Sequence, residues 1–230
     1  SYVKLKKPKN YFLQILNYFL IPIYLKKDFI NADFIQTNQF WGCWLAIFAK
    51  IFYKKKFILR SGFEFYDFFL KKYDNFQKKN FSFYVYNFLL KFFATFAYRI
   101  SNSIIITTDL SAEFIHQNFK IKKSKINVIP NFINTEIFKR DEKIKKNDRL
   151  LFIGRLSNQK GIELLFDAIK NLNIGIDIIG GGKGNLRNKY EIIAKNLRID
   201  ARFYTNIPNK KLVKYYNECN IFILSSSYEG

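Results

Sequence analysis

The chain has 230 residues, of which 49% are hydrophobic, and its formal net charge is +21 at pH 7. The hydrophobic content argues against a disordered chain, and the length allows one large domain or two small ones. The sequence has only two cysteines, Cys43 and Cys219, and they lie far apart, which argues against a disulfide framework and favours the reducing cytoplasm. Its one histidine, His116, excludes a site that needs several histidines.

The positive charge comes mainly from lysine and has three interpretations. An AT-rich genome would enrich lysine without a functional cause, an anionic membrane surface would attract the chain, and nucleic acid would do the same. Lysine clusters lie at 4–9, 54–56 and 120–125. Aromatic helices are predicted over 11–25 and 81–98, and polar residues interrupt both, so neither is a convincing membrane span. They suit either a protein core or the surface of a bilayer.

In chain order, the first half of the sequence predicts short strands separated by helices. Short β-branched runs bounded by turn residues indicate strands, and longer apolar runs indicate helices. The predicted strands are 33–38, 57–60, 103–107 and 127–129, and the predicted helices are 41–53, 82–100 and one that begins after Thr108 or Asp109. No motif of a nucleic-acid-binding fold stands out among them.

A polar run over 139–149 is the clearest linker in the chain. After it, strands are predicted over 150–153, 174–179, 201–204 and 221–224, and helices over 161–172, 185–197 and 209–219. Regular alternation of strands and helices predicts parallel sheets covered by helices. The sequence therefore predicts an α/β protein with a first domain over 1–138, a linker over 139–148 and a second domain over 149–230.

The segment 151–161 carries the most specific chemistry. An apolar strand ends at Gly154, Arg155 follows, and Lys160 precedes the start of a helix. Ligands of parallel sheets bind at the carboxyl ends of strands, and a helix N-terminus offers free N–H groups to an anion. An arginine and a lysine at this place predict a clamp for a diphosphate. The alternative is an ordinary solvated loop.

Two further segments with candidate binding residues also lie at the carboxyl ends of predicted strands. Gly180, Gly181 and Gly182 follow the strand over 174–179, and glycine lets the backbone approach a ligand closely. This run matches neither the P-loop nor the dinucleotide fingerprint, so a flexible turn is the alternative. Glu229 follows the strand over 221–224, where a carboxylate can bind sugar hydroxyls or be merely solvated.

Together these motifs resemble the donor-binding half of the GT-B glycosyltransferases, in particular the retaining family called family 4 or group 1. The family shows a Gly-Arg-Leu…Lys-Gly loop, a glycine loop, a helix with a tyrosine pair and a Ser-Ser…Glu-Gly loop. Here these are 154–161, 180–182, Tyr215-Tyr216 and 225–230, and the Val-Ile-Pro-Asn stretch at 128–131 resembles the segment that joins the family's two domains. The resemblance implies two Rossmann-like domains.

The resemblance also assigns roles to residues. It implies that Arg155 and Lys160 bind the diphosphate of a nucleotide-sugar donor, that Glu229 contacts the transferred sugar and that Gly154 and Gly180–Gly182 lie close to the donor. Ser61 and Gly62 would border the donor sugar. The reaction implied is transfer to a saccharide or lipid-linked acceptor with retention at the anomeric carbon, in polysaccharide or lipopolysaccharide synthesis. Neither a metal nor another cofactor is expected.

Several features depart from the family. The chain lacks methionine and ends before the family's second motif glutamate, so we expect a fragment in which both domains are incomplete. No histidine stands near Ser61, and His116 is interpreted as a surface helix residue. The alternatives are a truncated relative without catalytic activity and a basic protein that binds nucleic acid. The expected location is the cytoplasm, with peripheral contact at the inner face of the membrane.

Overall fold

The computed structural model describes residues 20–76, 80–182 and 184–227, with the side chains at 74–76 left out. It divides into two compact units, and the division falls between Asn131 and Phe132. The segment from Phe132 onwards, which includes the whole predicted linker over 139–148, therefore belongs to the second unit. Strand β5 of that unit begins at Asn147, still within the polar run.

The first unit is built around a parallel sheet in the order β1-β2-β3-β4. Its strands are β1 (Phe34–Gln36), β2 (Lys56–Arg60), β3 (Ser103–Ile106) and β4 (Ile126–Val128). Its helices are α1 (Lys26–Asn31), α2 (Cys43–Tyr53), α3 (Phe65–Phe76), α4 (Phe81–Ile100) and α5 (Asp109–Phe119). Helices α1 and α3 are additions to the elements predicted from the sequence.

The core of this first unit lies between the sheet and its helices. Phe57 and Leu59 of β2 alternate with more exposed neighbours and are buried, as are Ile104 and Ile106 of β3. This period of two is what a pleated strand with one face on the main core requires. Helix α4 packs against the same core and begins where the Asn80 side chain accepts a hydrogen bond from the backbone N–H of Phe83.

The second unit contains a second parallel sheet, in the order β7-β6-β5-β8. Its strands are β5 (Asn147–Ile153), β6 (Ile176–Ile179), β7 (Ala201–Tyr204) and β8 (Cys219–Phe222). The helices between them are α6 (Ile162–Ile169), α7 (Leu186–Asn196) and α8 (Asn209–Glu218). Parallel pairing throughout both sheets confirms the predicted fold class.

Strand β5 begins earlier than the apolar pattern predicts because the charge of Arg149 is neutralised inside the second unit. The Arg149 side chain is 13% exposed, and its guanidinium donates to Asp177 Oδ1 at 2.8 Å and also pairs with Asp200. A charge of this kind is tolerated in a protein interior only when it is paired and hydrogen-bonded. The pairing with β8 shifts register between Asn147 and Leu150, which places an irregularity at this polar start.

Candidate functional site

The carboxyl ends of β5, β6 and β8 lie at one edge of the second sheet, since all three strands are parallel. Three loops leave this edge. They are 154–161 after β5, 180–182 after β6 and 223–227 after β8, and they contain most of the residues that the sequence singled out.

The first two loops run side by side. The backbone N–H of Gly154 donates to Ile179 O at 3.0 Å, and the N–H of Leu156 donates to Gly181 O at 2.9 Å. Leu156 also forms a parallel bridge with Gly182, and its side chain is buried. The pairing of β5 with β6 therefore continues beyond the strands and fixes the two loops relative to each other.

The glycines of the second loop differ in what surrounds them. A Cβ atom on Gly180 would lie 1.8 Å from the carbonyl oxygen of Gly154, and one on Gly182 would lie 2.8 Å from the carbonyl oxygen of Leu156. A Cβ on Gly181 would meet nothing within 4 Å. Gly180 and Gly182 thus let two backbones approach closely, whereas Gly181 faces open space at the edge of the sheet.

Both predicted cations belong to the first loop. Arg155 is exposed, and Lys160 is half-buried at the end of a short 3₁₀ helix, Asn158–Lys160, that leads into α6. The Cε atom of Lys160 would lie 3.8 Å from a Cβ placed on Gly154, so the lysine stem passes close to that glycine. An exposed guanidinium and an ammonium group thus leave the same loop, immediately before the N-terminus of a helix, which suits an anion.

The third loop holds the first in place. Ser225 Oγ donates to Lys160 O at 2.8 Å, and the N–H of Ser227 donates to Gln159 O at 2.9 Å. Gly161 has a φ of 60°, and a Cβ there would lie 2.2 Å from Ser225 O. Glycine is needed at this position both for the left-handed backbone and for the close contact.

The remaining predicted site residues lie elsewhere. Glu229 falls outside the described residues. Ser61 and Gly62 belong to the first unit, where they follow β2. Ser61 is 1% exposed and its hydroxyl donates to Phe63 O at 2.7 Å, while Gly62 O accepts from Thr107 Oγ1 at 2.9 Å. The Ser61 hydroxyl is therefore used inside its own loop.

The same loop of the first unit contains a buried carboxyl group for which the sequence reading gave no role. Glu64 is 2% exposed, its Oε1 accepts from the Tyr98 hydroxyl at 2.6 Å and its Oε2 accepts from the N–H of Asp67 at the start of α3. Burial raises the pKa of Glu64, against the opposing effect of the hydrogen bond from Tyr98. Glutamate is not among the usual N-cap residues, so the standard sequence signals of a helix start do not indicate this cap.

Replacement of Tyr98 by phenylalanine is expected to destabilise the protein by about 1–3 kcal/mol, because it leaves a buried carboxyl oxygen without its donor. Because the pKa of Glu64 is higher in the folded than in the unfolded chain, the unfolded chain releases the Glu64 proton at lower pH. The free energy of unfolding therefore falls as pH rises from the ordinary glutamate range towards the raised pKa of Glu64. Loss of the donor raises this pKa further. Urea unfolding should therefore show a larger deficit in mildly alkaline than in mildly acidic buffer.

The matched control is Tyr66→Phe, which removes a hydrogen bond of 2.8 Å between the Tyr66 hydroxyl and Asn87 Oδ1. Both groups are neutral, so its cost should change little with pH. If the Tyr98 and Tyr66 variants lose stability with the same pH profile, the Glu64 carboxyl does not carry the effect.

Among the described residues, no group of three or more His, Cys, Asp or Glu side chains is placed to hold a metal ion. His116 lies on α5, and its Nδ1 is 2.8 Å from the carbonyl oxygen of Ile121, just after that helix. None of the described helices is both long enough and apolar enough to cross a membrane. Most of the predicted helix over 11–25 falls outside the described residues.

Comparison with known proteins matches both halves of the chain to glycosyltransferase families. The model of the family described as Glycosyltransferase Family 4 matches residues 2–137, and the model described as Glycosyl transferases group 1 matches residues 134–230. The first match alone covers more than half of the chain.

Two curated relatives and one solved structure illustrate the likeness. The N-acetylgalactosamine-N,N'-diacetylbacillosaminyl-diphospho-undecaprenol 4-alpha-N-acetylgalactosaminyltransferase of Campylobacter jejuni is 27% identical over 158 residues, which is 67% of this chain and 42% of that protein. The amylovoran biosynthesis glycosyltransferase AmsD of Erwinia amylovora is 25% identical over 141 residues, 59% of this chain and 40% of that protein. The chain thus spans about two fifths of the length of these relatives.

The solved structure is that of Anabaena Alr3699/HepE in complex with UDP and glucose. It superposes with a TM-score of 0.72 at 13% identity, over 96% of this chain and 59% of that chain. This likeness shows the fold, which is the predicted GT-B architecture. With both family models matched in the predicted order along the sequence, the chain belongs to the glycosyltransferases of family 4.

Proposed function

We propose that this chain takes part in transferring a sugar from a nucleoside diphosphate sugar to a saccharide or lipid-linked acceptor, with retention of configuration at the anomeric carbon. The observation that carries the proposal is that the loop of Arg155 and Lys160 lies directly beside the loop 180–182 at one edge of the second sheet. A diphosphate needs cations and free N–H groups at such an edge, and a sugar nucleotide needs backbone that it can approach closely.

The two cations would act on the leaving group. As the bond between the anomeric carbon and the diphosphate breaks, negative charge grows on the phosphate oxygens, and Arg155 and Lys160 would stabilise it there. The acceptor oxygen would form its bond to the anomeric carbon on the same face, and its proton would pass to the departing phosphate. In this arrangement the cationic pair takes the place of a divalent metal, so we propose that transfer continues in the presence of a chelator.

The relatives indicate the class of donor and acceptor to try. One solved relative holds UDP and glucose, and the Campylobacter jejuni relative is named for an acceptor on a diphospho-undecaprenol lipid. The Erwinia amylovora relative is named for the biosynthesis of amylovoran. We propose that this chain likewise serves the synthesis of a cell-surface polysaccharide or lipopolysaccharide, at the inner face of the cytoplasmic membrane.

The test is a panel of UDP-, GDP- and TDP-sugars offered with a saccharide linked to a lipid diphosphate, with and without EDTA. Proton NMR of the product reports the anomeric configuration, and we expect that of the donor. An inverted product would overturn retention, and loss of transfer with EDTA would overturn the metal-independent role of the cations. Nucleotide binding without transfer to any acceptor would favour the non-catalytic alternative.

A further inference from the structure

Arg60 lies at the carboxyl end of β2, and its main chain is fixed by the residue that follows the neighbouring strand. Its backbone N–H donates to Thr37 Oγ1 at 2.9 Å, and that hydroxyl donates to Arg60 O at 2.9 Å. Thr37 directly follows β1 and is buried. Arg60 therefore has a defined position on the edge of the first sheet at which parallel α/β proteins bind their ligands.

The guanidinium of Arg60 is fixed as well, by two amide side chains. Nη1 donates to Asn38 Oδ1 at 2.7 Å, and Nη2 donates to Asn131 Oδ1 at 3.4 Å. Asn38 comes after β1, the first strand of the sheet, and Asn131 comes after β4, the last strand. The side chain of Arg60 thus connects the loops of both outer strands at the carboxyl edge of the sheet.

The two amides fix the guanidinium without neutralising its charge. In the second unit the charge of Arg149 is balanced by Asp177 and Asp200. Within the described residues, by contrast, no carboxylate forms an ion pair with Arg60. A carboxylate would join these loops more strongly than a neutral amide does, since hydrogen bonds between opposite charges are stronger. The amides of Arg60 therefore suit a cation that receives its anion from a ligand.

The acidic residue nearest to Arg60 in the sequence is Glu64, and it is used in the core. Its two carboxyl oxygens accept from the Tyr98 hydroxyl and from the N–H of Asp67. Between Arg60 and Glu64, a Cβ on Gly62 would have one described neighbour within 4 Å, Gln39 Nε2 at 3.9 Å. The loop after β2 therefore offers open space beside an amide group and directs its own carboxylate into the core.

The guanidinium keeps donors for a ligand. Of the five N–H groups of an arginine side chain, the contacts with Asn38 and Asn131 use two, and the other three have no partner among the described residues. These donors lie in one plane and match the paired oxygens of a phosphate or carboxylate group. Arg60 is half-buried, which strengthens its attraction for an anion relative to a fully solvated arginine.

We propose that Arg60, positioned by Asn38 and Asn131, binds an oxyanion of the acceptor, which is a phosphoryl group or the carboxylate of an acidic sugar. The assignment to the acceptor rests on the proposed function, in which the residues for the donor belong to the second unit. Binding of an oxyanion by Arg60 does not depend on that reaction. A neutral saccharide lacks the group that Arg60 recognises and is expected to be a poorer acceptor.

The first experiment follows the proton–nitrogen NMR correlation signal of Arg60 Nε in the full chain, assigned with the variant Arg60→Lys. Pyrophosphate and glucuronate are the two probes. We expect a saturable shift of this signal, and the probe that binds more tightly shows whether the oxyanion is a phosphoryl group or a carboxylate. Because pyrophosphate is also expected at the loop 154–161, the titration is repeated with alanine at Arg155 and Lys160, where the shift of Arg60 should persist.

The decisive variant is Asn38→Asp, which keeps a contact to the guanidinium and adds a carboxylate. The free energy of unfolding should not fall, whereas the affinity for the probe should fall at least about tenfold, because the new carboxylate occupies the cation. An arginine with a structural role alone would show no such separation. The matched control, Asn31→Asp, makes the same change of charge at an exposed position ahead of the amino end of β1 and should leave the affinity unchanged.

The second experiment measures transfer to a neutral saccharide, to a saccharide linked to a diphosphate and to a saccharide that contains a uronate. Asn38→Asp should raise KM for the anionic acceptor at least about tenfold and leave Kd for UDP unchanged. Equal KM values in the wild type and the variant would overturn the assignment to the acceptor. If Arg60 binds a probe but no acceptor receives a sugar, the proposed function fails and the oxyanion site stands.

Two results would overturn the oxyanion site itself. If neither probe shifts the signal of Arg60, the guanidinium only connects the loops of the sheet. If the Asn38→Asp and Asn31→Asp variants lose affinity equally, the probe is attracted by the net charge of the chain and not by Arg60.

Discussion

Alanine at both Arg155 and Lys160 is expected to weaken binding of UDP by at least about a hundredfold. A hydrogen bond between a charged group and its partner contributes about 1.5–3 kcal/mol, and this variant removes two cations from one loop. Arg155 is exposed and α6 begins only after Lys160, so the fold should tolerate the change. Isothermal titration with UDP, and with pyrophosphate as a second probe, measures the loss.

The control must distinguish UDP binding at a specific site from the general attraction of an anion to a chain with a net charge of +21. Arg140→Ala with Lys195→Ala removes the same two charges from exposed positions outside the site loops, and UDP should bind this variant normally. An equal loss of UDP affinity in the control variant would mean that UDP is attracted by the net charge of the chain and not by this loop. Affinity for a short DNA duplex should stay nearly unchanged when Arg155 is replaced, which tests the nucleic-acid alternative.

Replacement of Gly180 by alanine should destabilise the second unit by about 3 kcal/mol or more. The added Cβ would lie 1.8 Å from the carbonyl oxygen of Gly154, and backbone on both sides of the contact leaves no flexible side chain to move away. The loops after β5 and β6 would have to separate. Urea unfolding followed by circular dichroism measures the free energy of unfolding, and UDP binding should fall with it.

Gly181→Ala is the matched control for this loop, because its Cβ would meet nothing within 4 Å. The free energy of unfolding should change by no more than about 0.5 kcal/mol. If the donor lies on this open side, UDP affinity falls in the Gly181 variant although stability is kept. Equal stability of the Gly180 and Gly181 variants would contradict the close approach of the two loops.

The sequence predicts the order of strands and helices well because alternation of short apolar runs with longer amphipathic ones has few other solutions. The predicted start of β5, at Leu150, is a few residues later than the observed start at Asn147. Asn147, Asp148 and Arg149 are polar and look like linker, but Arg149 pairs with Asp177, which lies 28 residues further along the chain. A partner that distant is invisible to any local pattern.

Helix α4 shows a different limit. Its apolar run predicts a helix, but large apolar side chains lie on both its buried and its exposed face, so hydrophobicity alone does not identify the buried one. Only the contacts of Leu90 and Ala94 with the core show that Phe88 and Phe92 point away from it. Two of the glycines set a similar limit, since Gly180 and Gly181 are identical neighbours in the sequence and differ only in what a Cβ would meet.

The clamp of the third loop on the first has a consequence for the order in which the second unit folds. Ser225 Oγ donates to Lys160 O, 65 residues earlier in the sequence, and this bond fixes the loop after β5. Gly161 lacks a side chain, which leaves room for the carbonyl oxygen of Ser225 close to its Cα. During folding, strands β5, β6 and β7 can therefore pair before the loop 154–161 has its final support. A chain that ended between α8 and Ser225 would keep β5, β6 and β7 but leave the loop 154–161 without this support, so the proposed nucleotide would stabilise the second unit only after β8 had docked.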